Sequence, residues 1–306
     1  MNGWSKGYAE WTDEQTRTVY LSIVFTYKIG HAVRRALSYR LLGWRVIAGG
    51  PALFLVKMQH ELRDLAEIGT EMPDAVARHN PEATIASRGC PGKGTEEKPD
   101  PCVHCIVPKM WGTKFTLMPD FPVRSILCDD NLSALPADYQ DFIIRRYRES
   151  SVKLRDANSG FEPVTFTPEV YARWKPIIAA GGGPWRFGYD EMGEREQALR
   201  VMRMLKDEPS KRKRPYVLIG NEPYDACMQR ILECIEYGCE PHVQPIVKLN
   251  AVEKEPWVRF DWTARKLRNV ARWVNRHHAK NGMPFKEYVP NLRATERYNA
   301  DEGLFV

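Results

Sequence analysis

The chain has 306 residues, with 45 Lys and Arg against 39 Asp and Glu, a net charge of +6 and seven cysteines. It contains no run of about eighteen apolar residues, which argues against a membrane-spanning helix, and its first residues lack the apolar core of a signal peptide, which predicts a cytoplasmic protein. An odd, clustered set of cysteines in such a chain argues against a disulfide framework and for metal or reactive thiols. The mild positive charge permits an acidic partner such as tRNA without requiring one.

Residues 1–17 are polar with scattered aromatics and read as a peripheral arm. Residues 19–25 form a β-branched and aromatic run, a buried-strand signal, and 29–42 carry apolar residues at helical spacing up to Gly43. Arg45-Val46-Ile47-Ala48 follows as a second strand, closed by the turn Gly49-Gly50-Pro51. This β-α-β pattern is half of a doubly wound unit, and the stretch to residue 80 is too short to complete one. We therefore expect an α/β extension over 1–80 and a second domain over 81–306, ending in a helix and a tail.

From residue 83 onward, apolar runs and helical patterns alternate. Strands are expected at 83–87, 123–128, 152–156, 185–189, 215–220 and 242–247, with helices at 138–149, 168–179, 191–206, 223–237 and 263–278. Six β-then-α units in series predict an α/β fold, a parallel sheet with outer helices curled into a partial (β/α)6 TIM-like barrel. Residues 92–100 are a loop by composition, and Gly181-Gly182-Gly183 reads as a flexible connector.

In such a barrel the reactive groups gather at the C-terminal ends of the strands. Cys90, Cys102 and Cys105 follow the first run, with eleven and then two residues between them. Three thiolates on one loop can hold three irons of a [4Fe–4S] cube and leave the fourth open. A zinc site completed by His104 or Cys128 is the competing reading, although the second ligand pair usual in structural zinc is missing. Asp129-Asp130-Asn131, Asn158, Asp190-Glu191, Gly220-Asn221-Glu222 and Gln244 each follow an apolar run, so the same rim collects them. Asp129, Asp130 and Asn131 also suit a helix N-cap, and Asp190 and Glu191 suit the start of a helix.

These motifs in this order resemble the radical S-adenosylmethionine enzymes over roughly residues 45–275. There, three cysteines follow the first barrel strand, usually with a first spacer of three and an aromatic before the last cysteine; here the spacer is eleven and His104 takes the aromatic place. The resemblance implies that Cys90, Cys102 and Cys105 bind a [4Fe–4S] cluster. It implies that Asp129, Asp130 or Asn131 holds the amino group of S-adenosylmethionine, with Asn158, Glu191, Gly220 and Gln244 on the remainder of that cofactor. Reductive cleavage would yield a 5′-deoxyadenosyl radical that abstracts hydrogen from a substrate, with electrons from a donor such as flavodoxin or ferredoxin.

Substrates of two kinds fit, RNA or nucleotides on one side and small molecules or peptides on the other. Arg265, Arg268, Arg272 and Arg276, with Lys266 and Lys280, form the best nucleic-acid stripe in the chain, whereas Arg145-Arg146-Arg148 and Lys211-Arg212-Lys213-Arg214 read as solvated charges. Cys227, Cys234 and Cys239 suit core positions better than an auxiliary cluster. The alternative from another class is a zinc-stabilised nucleic-acid-binding protein without catalysis.

Overall fold

The computed structural model describes residues 4–56, 61–69, 72–102, 104–158 and 160–288. The expected tail, 289–306, lies outside the described residues, as do Val103 and Ser159.

Four strands form the amino-terminal sheet: β1 (Tyr8–Asp13), β2 (Thr18–Ile23), β3 (Arg45–Gly49) and β4 (Glu67–Ile68), neighbours in that order. Helix α1 (Ile29–Leu41) carries the chain from β2 to its parallel neighbour β3. Helices α2 (Pro51–Val56) and α3 (Leu62–Leu65) lead to β4, and α4 (Ala75–His79) leads out. Val19, Leu21 and Ile23 of β2 and Val46 and Ala48 of β3 make a core of their own with Ala32 and Ala36 of α1.

The expected peripheral arm is in part a strand: β1 pairs antiparallel with β2 along its whole length. Polar composition concealed it, because side-chain contacts supplement its backbone ladder where a continuous apolar run would have marked a strand. Trp11 stacks on Tyr20 at 5.3 Å. Glu10 accepts from Arg35 Nε (2.9 Å) and Nη2 (2.5 Å), from Tyr8 (2.7 Å) and from Tyr39 (2.8 Å).

The second part runs β5 (Ala83–Thr84), β6 (Ser87–Arg88), α5 (Val107–Trp111), β7 (Thr116–Leu117), β8 (Ile126–Leu127), α6 (Ala137–Glu149), β9 (Asp156–Ala157), α7 (Pro168–Gly181), β10 (Trp185–Gly188), α8 (Arg195–Met204), β11 (Lys213–Ile219), α9 (Tyr224–Glu236), β12 (His242–Pro245) and α10 (Ala264–Asn275). β5-β8-β9 is one parallel sheet and β10-β11-β12 another. A single parallel bridge between Phe161 and Phe187 joins them, with Phe161 N donating to Arg186 O at 2.8 Å. No sheet closes on itself among the described residues. β6 and β7 form a separate antiparallel ribbon.

β11 alternates strictly: Lys213, Pro215, Val217 and Ile219 are buried, while Arg214, Tyr216 and Leu218 are half-exposed. The apolar face joins one large core with α6 to α10, in which Phe161, Phe166, Trp174 and Trp185 interlock at centroid distances of 4.6–5.8 Å. No described helix is long and apolar enough to cross a membrane.

Two expected features differ. The triple glycine is a close-packed corner rather than a flexible connector: a Cβ on Gly181 would stand 1.7 Å from Leu154 O, and one on Gly183 2.3 Å from Arg155 O. The Lys211–Arg214 run is solvated only in part, with Lys211 exposed. Lys213 is buried and donates to Tyr237 O at 2.9 Å, and Arg212 donates to Ile178 O and Gly183 O at 3.1 Å, where carbonyls at the end of α7 need donors.

The hydrogen bonds from Arg35, above all, hold the Glu10 carboxyl down at about 2. A depressed acid stabilises the fold above its unfolded value and loses that contribution as pH falls through the folded one. Glu10→Gln is expected to cost about 1–2 kcal/mol at pH 7, since hydrogen bonds to charged groups are the stronger kind but this pair is partly wet. Urea unfolding at stepped pH checks this: the gap between wild type and variant should shrink from pH 4.5 to pH 2.

Candidate functional site

The three cysteines stand on a loop raised from the end of β5 by the β6–β7 ribbon. The eleven-residue gap closes on itself. Lys93 N donates to Asp100 O and Asp100 N to Pro91 O, both at 2.9 Å, and Thr95 N donates to Lys98 O at 3.1 Å. Residues 91–101 are thus a compact Ω-type excursion with its ends together. Gly92 makes the closure possible. Its φ is +74°, and a Cβ there would lie 2.0 Å from Asp100 O. The gap is long in sequence and short in space.

Cys90 accepts from Gly92 N at 3.3 Å and from Asn131 Nδ2 at 3.6 Å, and Cys105 accepts from Val107 N at 3.4 Å. Burial pushes the Cys90 thiol up to about 11 and Cys102 to about 12, and it raises Cys105 as well. The thiols raise one another too, which sets all three within electrostatic reach. Among the described residues no group of three Cys, His, Asp or Glu side chains is placed to hold a metal ion. Two of the three sulfurs, Cys90 and Cys105, already take N–H donors of the kind that stabilise bound thiolates.

The Asp129-Asp130-Asn131 triplet after β8 is spent on holding this loop. Asp129 is fully buried, and its carboxylate accepts from Ala86 N (3.0 Å) and from the Ser87 hydroxyl. Asp130 accepts from Gly89 N (2.9 Å) and pairs with Arg88 (3.2 Å), whose guanidinium lies over Trp111. Asn131 donates to Cys90 and to Gly92 O, and its Oδ1 accepts from Ser133 Oγ and Ala134 N.

Asn158 N donates to Leu127 O, and its own carbonyl accepts from the Tyr216 hydroxyl at 3.2 Å. Burial drives the neighbouring Cys128 thiol up to about 12. Glu191 starts a 3₁₀ turn with Glu194 in a capping box, and both face Lys93, at 3.6 and 2.7 Å. Lys93 therefore ties the cysteine loop to the loop after β10. Gly220 has φ +89°, with side chains of Leu267 and Ile246 about a Cβ, at 3.0 and 3.1 Å. Gln244 is exposed on β12.

Three further groups belong to this rim. Glu162, after β9, has its carboxyl pushed up to about 7 by burial and then by the charges of Glu194 and Asp190. Burial, with Glu194 next, lifts Asp190 to about 6. Arg230 on α9 is fully buried; it donates to Tyr189 O (2.7 Å) and pairs with Glu222 (3.1 Å), which in turn accepts from Met192 N. Asp190 carried a sequence signal in the Asp190-Glu191 pair after an apolar run, and Glu162 a weaker one as the acid closing the stretch Asn158…Gly160-Phe161-Glu162. Lys93, Glu194 and Arg230 reach the rim from a loop and two helices, and nothing local marks them.

Cys227, Cys234 and Cys239 are fully buried in the main core. The basic stripe on α10 does not lie on one open face as expected: Arg265 is buried among the residues packing on β12, and Arg268 is paired with Glu255 at 2.7 Å.

Gly92→Val should open the excursion, since a positive φ and a blocked Cβ together cost about 1–3 kcal/mol. Cobalt titration followed by thiolate charge-transfer absorption would then show weaker binding, with the far-UV spectrum unchanged. Glu162 gives a pH test in the metal-free protein. Its carboxyl is raised, so its contribution is complete below about pH 4.5 and lost as pH rises to about 7. Glu162→Gln should flatten that part of the stability–pH curve in thermal melts.

No family model, curated protein or solved structure matches this chain, so residue chemistry and geometry carry the functional reading.

Proposed function

We propose that this chain is a radical S-adenosylmethionine enzyme. On this reading the parallel strands β5, β8, β9, β10, β11 and β12 are the wall of a partial (β/α)6 barrel, and the rim at their C-terminal ends is the active site. The observation that carries the proposal is the cysteine loop. It follows the first of six parallel strands, two of its thiols accept N–H donors, and backbone hydrogen bonds fold the long spacer back on itself.

Cys90, Cys102 and Cys105 would hold three irons of a [4Fe–4S] cluster, which supplies the electron that splits S-adenosylmethionine into methionine and a 5′-deoxyadenosyl radical. Asn131 and the Gly92 amide orient the Cys90 sulfur. Asp129 and Asp130 are positioning residues, because their oxygens already hold the backbone of 86–89. The carboxylate left to accept from the ammonium of S-adenosylmethionine is Glu162. A cation beside it would remove the proton that burial and Glu194 keep on it. Asn158, Glu191, Gly220 and Gln244 remain candidates for the rest of the cofactor, and Lys93 closes the rim beside Glu191. Reduction requires an external donor such as flavodoxin or ferredoxin.

Anaerobic reconstitution followed by chromatographic assay for 5′-deoxyadenosine under dithionite tests the proposal. Wild type should bind about four irons per chain and form the product. Replacing Cys90, Cys102 or Cys105 by Ala should abolish both, while Cys234→Ala should keep both. A chain that takes zinc, resists iron–sulfur assembly and forms no 5′-deoxyadenosine would instead be the non-catalytic zinc protein.

A further inference from the structure

After β12 the chain runs as an irregular strap over 246–262 and then enters α10. The strap is fastened at both ends to the rim. Ile246 N donates to Ile219 O (2.8 Å) and Trp257 N to Ile246 O (2.7 Å). Farther on, Asp261 accepts from Tyr224 N (2.9 Å), and Trp262 Nε1 donates to Glu222 O (2.9 Å). Its middle meets the amino-terminal sheet, where the Thr26 hydroxyl donates to the carbonyls of Leu249 and Ala251. That contact brings the residues on either side of Thr26, the stacked pair Phe25 and Tyr27 (5.1 Å, 11° between planes), beside the strap.

The strap alternates rings and cations. Arg259 lies over Trp257 at 4.8 Å and over Phe260 at 5.0 Å, and Lys248 lies over Trp257 at 5.6 Å. Phe260 is 55% exposed and Phe25 45%. Phe260 has φ +53°, a conformation unfavourable for an aromatic residue, in the turn that keeps its ring in water. Over 246–262 three Lys and Arg stand against three Asp and Glu, so the strap acts through cations placed on its rings rather than through net charge. Exposed rings interleaved with cations are what unpaired bases and their phosphates require. Every base has a π face to stack, and every phosphate needs a cation. Arg259 stands against both Trp257 and Phe260, and Lys248 against Trp257, so the rings of the strap meet cations.

We propose that this strap and the adjoining Phe25–Tyr27 pair form a binding surface for single-stranded nucleic acid. Bases stack on Phe25, Tyr27, Trp257 and Phe260, and phosphates meet Lys248 and Arg259. That the bound strand is the substrate rests on the radical enzyme reading; that it binds does not.

The test is fluorescence anisotropy of a labelled 20-nucleotide single strand, as RNA and as DNA, with the full chain as purified and after anaerobic reconstitution. Binding should weaken steeply between 50 and 200 mM salt, and a duplex of the same sequence should bind more weakly. Phe260→Ala and Phe25→Ala, both at exposed positions, should each weaken binding roughly fivefold or more. Arg259→Gln should lower the salt slope by about one, whereas Arg145→Ala on α6 should change nothing. Absence of binding at 50 mM salt, equal affinity for duplex, or indifference to both Phe variants in protein of native far-UV spectrum would overturn the proposal. Because the measurement also uses protein without a cluster, failure to form 5′-deoxyadenosine leaves its outcome intact.

Discussion

The candidate site depends on two adjacent carboxylates holding one stretch of backbone. Asp129 and Asp130, at the end of β8, take the amides of Ala86 and Gly89 and the side chains of Ser87 and Arg88. Those four residues leave β5 and carry Cys90. A loop rising from a strand end exposes amides with no ladder partner, and an amide buried without one costs about 1–3 kcal/mol. Here the next strand supplies the acceptors. The neighbouring Asn131 continues the same device into the sulfur itself, through its hydrogen bond to Cys90. The position of the cysteine loop is thus set by β8 as much as by β5.

A second anchor works from the opposite side of the rim. Buried Arg230 gathers Tyr189 O, Asn221 and Glu222, and so binds the loops after β10 and β11 to α9. Glu222 passes the constraint to Met192 N, and Glu194 passes it to Asp190 N. A buried guanidinium is tolerated because it has a carboxylate and several acceptors together. Lys93 joins the two anchored halves, since it starts in the cysteine excursion and ends on Glu191 and Glu194. Burial works against its charge, yet these acids raise its affinity for the proton. Lys93 therefore keeps its charge throughout the neutral range.

Much of the strand-and-helix order was legible, because six apolar runs separated by amphipathic stretches record burial on one face. α6 at Ala137–Glu149 and α9 at Tyr224–Glu236 lie within a residue of the spans expected. Features fixed by side-chain pairing were not legible. β1 looked like an arm because its side-chain anchor is Glu10 to Arg35, twenty-five residues away, and no periodicity encodes that. The triple glycine looked flexible because composition cannot distinguish a linker from a corner where backbone must touch backbone. The α10 stripe looked like one cationic face, but a three- and four-residue repeat does not say which side packs on β12, and Arg265 is on the packed side. In the site, the three cysteines were visible from type and spacing. Glu162 was half visible, and the closure of the 91–101 excursion was not visible at all, since it consists of backbone hydrogen bonds.

The electrostatics of the rim explain how acids and thiols coexist there. Three thiolates, Glu162, Asp190, Glu191 and Glu194 in one partly buried region would repel one another strongly if all were ionised. Without a bound cation the protein avoids this by leaving protons in place. The cysteine thiols are raised, to about 11 and 12 at Cys90 and Cys102, and the carboxyls of Glu162 and Asp190 sit near neutrality rather than near 4. Lys93 compensates part of the remainder. On the proposed reading, bound metal would displace the thiol protons to solvent, and a cationic ligand would favour loss of the carboxyl proton. A purely structural zinc site needs the thiols but gives no role to Glu162, which lies after a different strand from the cysteines and whose carboxyl is raised to about 7 by burial.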